Sequence, residues 1–371
     1  MTMTQDAVDT TQPQPAVQAQ GRPVRNRQTN EFFELAQRVK DAGLMERGAQ
    51  SYIGRAVVLV LAFAAAGTLL AVLGSSIWQL AVAVLFGVLF TQVAFLSHDA
   101  AHQQVFDNGR KNAWLSLMVG NGIVGLSYGW WAQKHGKHHA NPNVIGKDGD
   151  IAPGTIAFVP EDAAARNTGI AGWFVKRQGW FLFPLLLFFG LVLHYNAVAT
   201  VVQSKKLKHR KVEAALLTVR LIGFPALVLW LLGPWLGLAF LAVQVAVFGV
   251  YMGASFAPNH KGMPLIPKDS KVDFLQRQIL TSRNIRGGRL IDWGMGGLNY
   301  QIEHHLFPRM ASANLHKVQP LVKEFCAERG ITYTETGLME SYGIVIRYLN
   351  RVGLGYSDPM ECPITAQFRP R

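Results

Sequence analysis

Apolar residues in this chain run in blocks, not in stripes. Residues 56–74 and 78–97 are almost uncharged, and each block is close to the roughly 20 residues that a helix needs to cross a bilayer core. The short `GSS` link between them predicts a helical hairpin. Three further blocks follow at 181–202, 214–232 and 235–256, the last two joined by a tight `GPW` turn. Beyond residue 258 no block is long enough to span, and 258–371 reads as a charged, partly helical cap.

Charge orients the blocks. Arg22, Arg25, Arg27, Arg47 and Arg55 precede the first block, which places that end of the chain in the cytoplasm by the positive-inside rule. Counting all five blocks as crossings would put the basic run `KKLKHRK` (205–211) outside. Keeping 181–202 embedded in the cytoplasmic interface satisfies the rule at both places, so four spans in two hairpins are expected. Arg220, near the start of its block, can snorkel to the interface and so does not exclude a span. Residues 1–30, rich in Thr, Gln and Pro, read as a disordered tail. The expected division is an N-terminal segment over 1–50, one membrane domain over 51–340 and a C-terminal tail over 341–371.

Composition agrees. Half of the 371 residues are hydrophobic and 16% are charged, low against about 25% for a soluble domain. The net charge of +13 lies mostly outside the apolar blocks, which suits anionic headgroups or an acidic partner protein and disfavours nucleic acid. Cys326 and Cys362 form no disulfide framework, in keeping with a reducing compartment.

The candidate chemistry lies in histidine. Of eleven histidines, eight fall in four places: `SHDAAHQQ` (His98, His102), `QKHGKHHANPN` (His135, His138, His139), `APNHKGM` (His260) and `QIEHH` (His304, His305). Residues three or four apart share a helix face with Cβ atoms about 5–6 Å apart. His98 with His102, and His135 with His138 and His139, can therefore point into one pocket. With four spans all eight emerge on one membrane face, which predicts a metal site. Eight imidazoles exceed the four ligands of a closed zinc site, so two metals fit better, and iron is the natural choice for oxygen chemistry at a membrane. Asp99 or Glu303 would add an oxygen ligand or orient an imidazole. His194 reads as a buried hydrogen-bonded residue, and His209 and His316 as solvated.

The motifs `HDAAH`, `HGKHH` and `QIEHH`, in that order and spacing, resemble the three histidine boxes of the membrane fatty acid desaturase family. `GGLNYQIEHHLFP` is similar to the third box of front-end and bacterial acyl desaturases. The resemblance covers roughly residues 50–340. It implies an all-α membrane protein: four transmembrane helices in two hairpins, with a cytoplasmic helical cap enclosing a di-iron site. It also implies ligands at His98, His102, His135, His138, His139, His304 and His305, with His260 as a further one. Asn259 would hold a metal-bound water. Gln301 stands where many relatives have a histidine and would position water or a neighbouring ligand.

The expected activity is oxygen-dependent desaturation of a fatty acyl chain in a bacterial cell membrane, with the site on the cytoplasmic face. No nicotinamide, flavin or haem motif is visible, so electrons are expected from a ferredoxin or a flavin reductase. Lys134, Lys137, Arg283, Arg286, Arg289 and Arg309 are candidates for docking that carrier, and Trp130, Trp131 and Trp293 for lining the acyl slot. The nearest alternative is a membrane di-iron hydroxylase or ketolase. A metal transporter is disfavoured because 56–74 and 78–97 contain no Asp, Glu or His.

Overall fold

The computed structural model describes residues 24–355, with side chains from residue 31 onward. Residues 1–23 and Cys362 lie outside this range. Helix α1 (Val24–Asp41) begins within the stretch read as a tail. Leu35 and Val39, one helical turn apart, are both buried in the cap, and that burial supports the helix.

The apolar blocks become helices α2 (Ala49–Val72) and α3 (Gln79–Ala101). Their link turns at Gly74, whose φ of 54° suits glycine. Gln79 locks the turn by donating from Nε2 to the carbonyls of Leu70 at 2.9 Å and Gly74 at 3.0 Å. Helix α2 presents Val57, Val58, Val60 and Leu61 outward, all more than half exposed, as a lipid-facing wall would. Helix α3 is central and mostly buried.

Next come α4 (Gly109–Val119), a π-helical turn over Gly120–Val124, and α5 (Tyr128–Ala140). Short helices α6 (Pro160–Ala164) and α7 (Gly169–Val175) lead into α8 (Leu182–Gln203). A second π turn, Val219–Gly223, joins α9 (Arg210–Thr218) to α10 (Phe224–Leu232), and α11 (Pro234–His260) follows. The turn between α10 and α11 is made by Gly233, with φ of 73°.

Among the described residues five helices are long and apolar enough to cross a membrane: α2, α3, α8, the α9–α10 unit and α11. By length and apolarity α8 thus stands beside the four spans expected. Helix α11 is the hub, packed on α3 and α8. Gly87 makes the first approach possible, since a Cβ there would lie 2.8 Å from Val247.

Arg220 does not snorkel. It is buried, with its guanidinium 4.1 Å from the Phe90 ring centroid and 4.5 Å from that of Phe224. Its Nε donates to the Ile123 carbonyl at 2.6 Å, within the first π turn. Inside an apolar bundle an aromatic sandwich and a backbone acceptor replace the water that snorkelling would reach.

The cap comprises α12 (Phe274–Leu280), α13 (Arg289–Gly294), α14 (Gln301–Leu306), α15 (Ser312–Glu328) and α16 (Leu338–Gly353). Two three-residue strands, β1 (Asn284–Arg286) and β2 (Glu335–Gly337), pair in parallel with Asn284 opposite Glu335. Leu275, Ile279, Ile302, Leu306, Val322 and Phe325 form the cap's own core with Leu35 and Val39. Helix α16 lies in the stretch read as a tail and buries Val345, Leu349 and Val352.

Candidate metal centre

All eight predicted histidines converge. Ring nitrogens of His98, His102, His135 and His304 lie within 4.8 Å of one another, as do those of His138, His260 and His305. We call these group one and group two. His139 sits between them: its Nε2 is 2.9 Å from that of His135, and its ring stacks on His305 with centroids 4.2 Å apart.

Helix geometry explains the division. Adjacent residues on an α-helix point about 100° apart, because a turn takes about 3.6 residues. His304 and His305 on α14 therefore cannot share one pocket, and each serves a different group. On α5, His135 and His139 share a face as expected. His138 does not join them; it turns to group two, where its Nε2 is 3.2 Å from that of His260. Helix α3 brings His98, and His102 follows directly at its end. The last residue of α11 brings His260.

Four of the outer nitrogens are held. His98 Nδ1 lies 3.0 Å from Asp99 Oδ1, within hydrogen-bond reach of that carboxylate. Asp99 also meets Arg55 at 3.4 Å and the Tyr52 hydroxyl at 3.2 Å, tying α2 to α3. His138 Nδ1 donates to Asp148, 3.0 Å from Oδ2. His260 Nδ1 donates to the Thr281 carbonyl, and His305 Nδ1 to Gln278 Oε1, both at 2.9 Å.

Asp148, Gln278 and Thr281 were not singled out from sequence. Asp148 is signalled only by `NPNVIGKDGD`, just after the second box. There Asn143, in a left-handed conformation with φ of 53°, donates its backbone N–H to Asp148 Oδ2 at 2.8 Å. Gln278 and Thr281 carry no local signal. Glu303 departs from expectation, because its oxygens accept from Asn284 at 2.6 Å and Tyr333 at 2.7 Å. Those bonds secure α14 to β1 and to Tyr333, just before β2.

Asn259 and Gln301 adjoin group two. Asn259 Nδ2 donates to Gln301 Oε1 at 3.0 Å, which leaves the Gln301 amide nitrogen 2.9 Å from His260 Nε2. Gln301 thus presents an N–H group, not a ligand oxygen, to His260 Nε2, and a metal bound by that nitrogen would displace this hydrogen bond.

The residues fit a cation by their unpaired nitrogens. Nε2 of His98, His304 and His305 is buried without a hydrogen-bond partner, as is Asn259 Oδ1. Burial foremost, then neighbouring imidazoles, holds the pKa values of His102, His135, His139, His304 and His305 well below the ordinary histidine range. Neutral rings with lone pairs facing inward are what metal ligation requires.

The weaker candidates separate. Trp131 stacks on His135 at 4.2 Å and closes one side of group one, whereas Trp293 is 55% exposed. Arg283 is no docking residue: it is buried, donating to the carbonyls of Pro258 and Lys261. Lys134 is ion-paired with Asp150, and Arg286 faces Glu340 at 4.0 Å. Lys137, Arg289 and Arg309 remain exposed. His194 donates to the Gly125 carbonyl at 3.0 Å, as its structural reading required. His316 is exposed, and His209 is half-buried beside Trp114.

Comparison with known proteins bears on the same region. The family model described as fatty acid desaturase matches residues 75–337. The chain is 33% identical over 283 residues to an acyl-lipid (9-3)-desaturase of Physcomitrium patens, covering 74% of this chain and 53% of that one. It is 31% identical to the Delta(6)-fatty-acid desaturase fat-3 of Caenorhabditis elegans, covering 86% and 74% of the two chains. Against the Delta(5) fatty acid desaturase fat-4 of the same organism, identity is 32%, covering 83% and 71%. The chain therefore spans about half of the moss relative's length. These relatives are eukaryotic and lend nothing to the bacterial setting expected above.

Proposed function

The chain belongs to the membrane fatty acid desaturase family, and from that premise we propose that it introduces a double bond into a fatty acyl chain with two iron ions, one in each histidine group. The observation that carries this is the convergence of seven histidines, distant in sequence, into two adjoining groups with His139 between them, and with the Nε2 atoms of His98, His304 and His305 buried and unpaired. When bound, the irons supply the activation of dioxygen and the removal of hydrogen from two neighbouring methylenes. The balance is one dioxygen, two electrons and two protons for each double bond, with two waters released.

The protein's own part is geometry and exclusion of water. His98, His102, His135 and His304 would hold one ion, and His138, His260 and His305 the other, with His139 available between them. Asp99, Asp148, Gln278 and the Thr281 carbonyl fix the ring orientations. Trp131 shields group one, and the apolar core over α3, α10 and α11 lies against its membrane side. An acyl chain offers no polar handle, so the depth and shape of an apolar slot must set the double-bond position. Electrons would come from a separate carrier, and exposed Lys137, Arg289 and Arg309 are suited to an acidic one.

The contacts of α8 support four spans. At one end Leu182 packs on Val345 and Leu349 of the cap helix α16. At the other, Val201 packs on Leu217, and its carbonyl accepts from Arg210 Nε at 2.7 Å. Glu213, one turn after Arg210, accepts from Ser127 at 2.6 Å, at the start of the box-bearing α5. Both ends of α8 are thereby tied to elements that carry or cover the histidines, which suits a helix lying in the interface. Labelling of Lys206→Cys in sealed vesicles should report the same side as residues 298–310; labelling from opposite sides would restore α8 as a span.

The test of function is mass spectrometry of fatty acids, with double-bond localisation, from a host expressing the protein. A new double bond is expected. An inserted oxygen would favour the hydroxylase reading, and an unchanged profile with iron and a reductase supplied would reject desaturation.

A further inference from the structure

Gln278 on α12 touches the second and third histidine boxes while belonging to neither. Its side chain is fully buried. Nε2 donates to the backbone carbonyl of His139 at 2.8 Å, and Oε1 lies 2.9 Å from His305 Nδ1.

Chemistry allows these bonds only one direction. A backbone carbonyl only accepts, so the amide nitrogen must face His139. Oxygen Oε1, also only an acceptor, is left against His305, so Nδ1 must carry the proton of that neutral ring. The lone pair is then on Nε2, which is buried, has no hydrogen-bond partner and lies with His138 and His260. One amide thus converts the position of a peptide carbonyl on α5 into the tautomer and aim of an imidazole on α14.

We propose that Gln278 is a positioning residue for the group-two metal: it fixes the tautomer and ring angle of His305. The inference rests on the two-metal reading above. Thr281, at the end of the same helix, does the equivalent for His260 through its backbone carbonyl. Any residue at 281 supplies that carbonyl, whereas position 278 needs a side chain with both an acceptor and enough length.

Three variants separate this role from packing. Gln278→Leu removes the acceptor for His305 and the donor to His139. Gln278→Glu keeps the acceptor but, when ionised, loses the donor. Gln278→Asn keeps the polarity but is one carbon short. Full-length protein would be stripped, reloaded with Fe(II) or Co(II) and assayed for metal per chain, with Co(II) ligand-field absorption as a second signature. Wild type is expected to hold about two metals, and the Leu and Asn variants about one with roughly half the cobalt absorption, since lost outer partners typically weaken affinity about 10–100-fold. The Glu variant should hold about two, with a shifted spectrum. Leu and Asn variants with two metals and unchanged spectra would overturn the proposal. So would a Glu variant that loses as much metal as Asn, because the bond to His139 would then be the one that matters. A Leu variant that fails to fold leaves the Asn and Glu pair to decide. Wild type unable to hold two metals would instead overturn the two-metal reading, before any variant is compared.

Discussion

The two histidine groups are built from the same side chain but are held differently. Group one draws His98 and His102 from the end of α3, and its held outer nitrogen, that of His98, rests on Asp99, the next residue in the chain. Group two takes one histidine from each of α5, α11 and α14, and all three outer nitrogens have partners: Asp148, the Thr281 carbonyl and Gln278 Oε1. Local helix geometry thus places half of group one, His98 with His102, while His135 and His304 dock from α5 and α14. Group two exists only when three distant elements and α12 have docked. Imidazoles one helical turn apart are placed in part by their own helix, whereas a group with no such pair relies more on an outer scaffold to fix tautomer and angle.

The largest effect that would break this comparison is loss of a ring. His98→Ala and His138→Ala should each abolish desaturation, and each should cost about one metal per chain; His316→Ala serves as an exposed control. Product analysis together with metal analysis checks it. Loss of both metals in either variant would mean that the groups form one cooperative site.

A smaller effect should come from the carboxylates. Asp148→Asn should weaken the group-two metal by about 10–100-fold, the usual consequence of losing such a partner. Asp99→Asn should show more in stability than in metal affinity, because Arg55 and Tyr52 also lean on that carboxylate. Titration with Co(II) and denaturant melts of the metal-free variants would separate the two; equal patterns would contradict the different roles assigned here.

Acid should act on both groups together and so should not distinguish them. Burial lowers the pKa of His102, His135, His139, His304 and His305 from an ordinary value near 6.5. Below that value the unfolded chain binds protons that the folded cluster refuses, so stability is fullest above about pH 6.5 and falls as pH drops towards 5. Each ring contributes at most about 1.4 kcal/mol per pH unit in that window. Denaturation midpoints of the metal-free protein should fall accordingly, and a midpoint flat from pH 7 to 5 would contradict the buried, neutral cluster.

Much of the site was legible in the sequence because its signals are local. Four residues make about one helical turn, so the spacing of His98 with His102 and of His135 with His139 already says that each pair shares a face. Apolar blocks of near-bilayer length marked the long helices for the same reason. The division into two groups was half legible: His304 and His305, as neighbours on a helix, had to point apart. That His138 sides with His260 required the observed docking of α5 against the end of α11.

Tertiary structure alone decided the rest. Arg283 and Arg289 look alike in sequence, yet Arg283 is buried against two carbonyls while Arg289 is exposed. Arg220 found two aromatic rings although snorkelling to a water interface was open to it. Glu303, within the third box, faces Asn284 and Tyr333, while Gln278, in no box, holds His305. The sequence by itself determined which imidazoles could ligate, since helix periodicity is a property of a few consecutive residues. Which partner turns each ring inward depends on separate elements, Thr281 and Gln278 standing 21 and 27 positions from the rings they hold, and only packing brings them within hydrogen-bond reach.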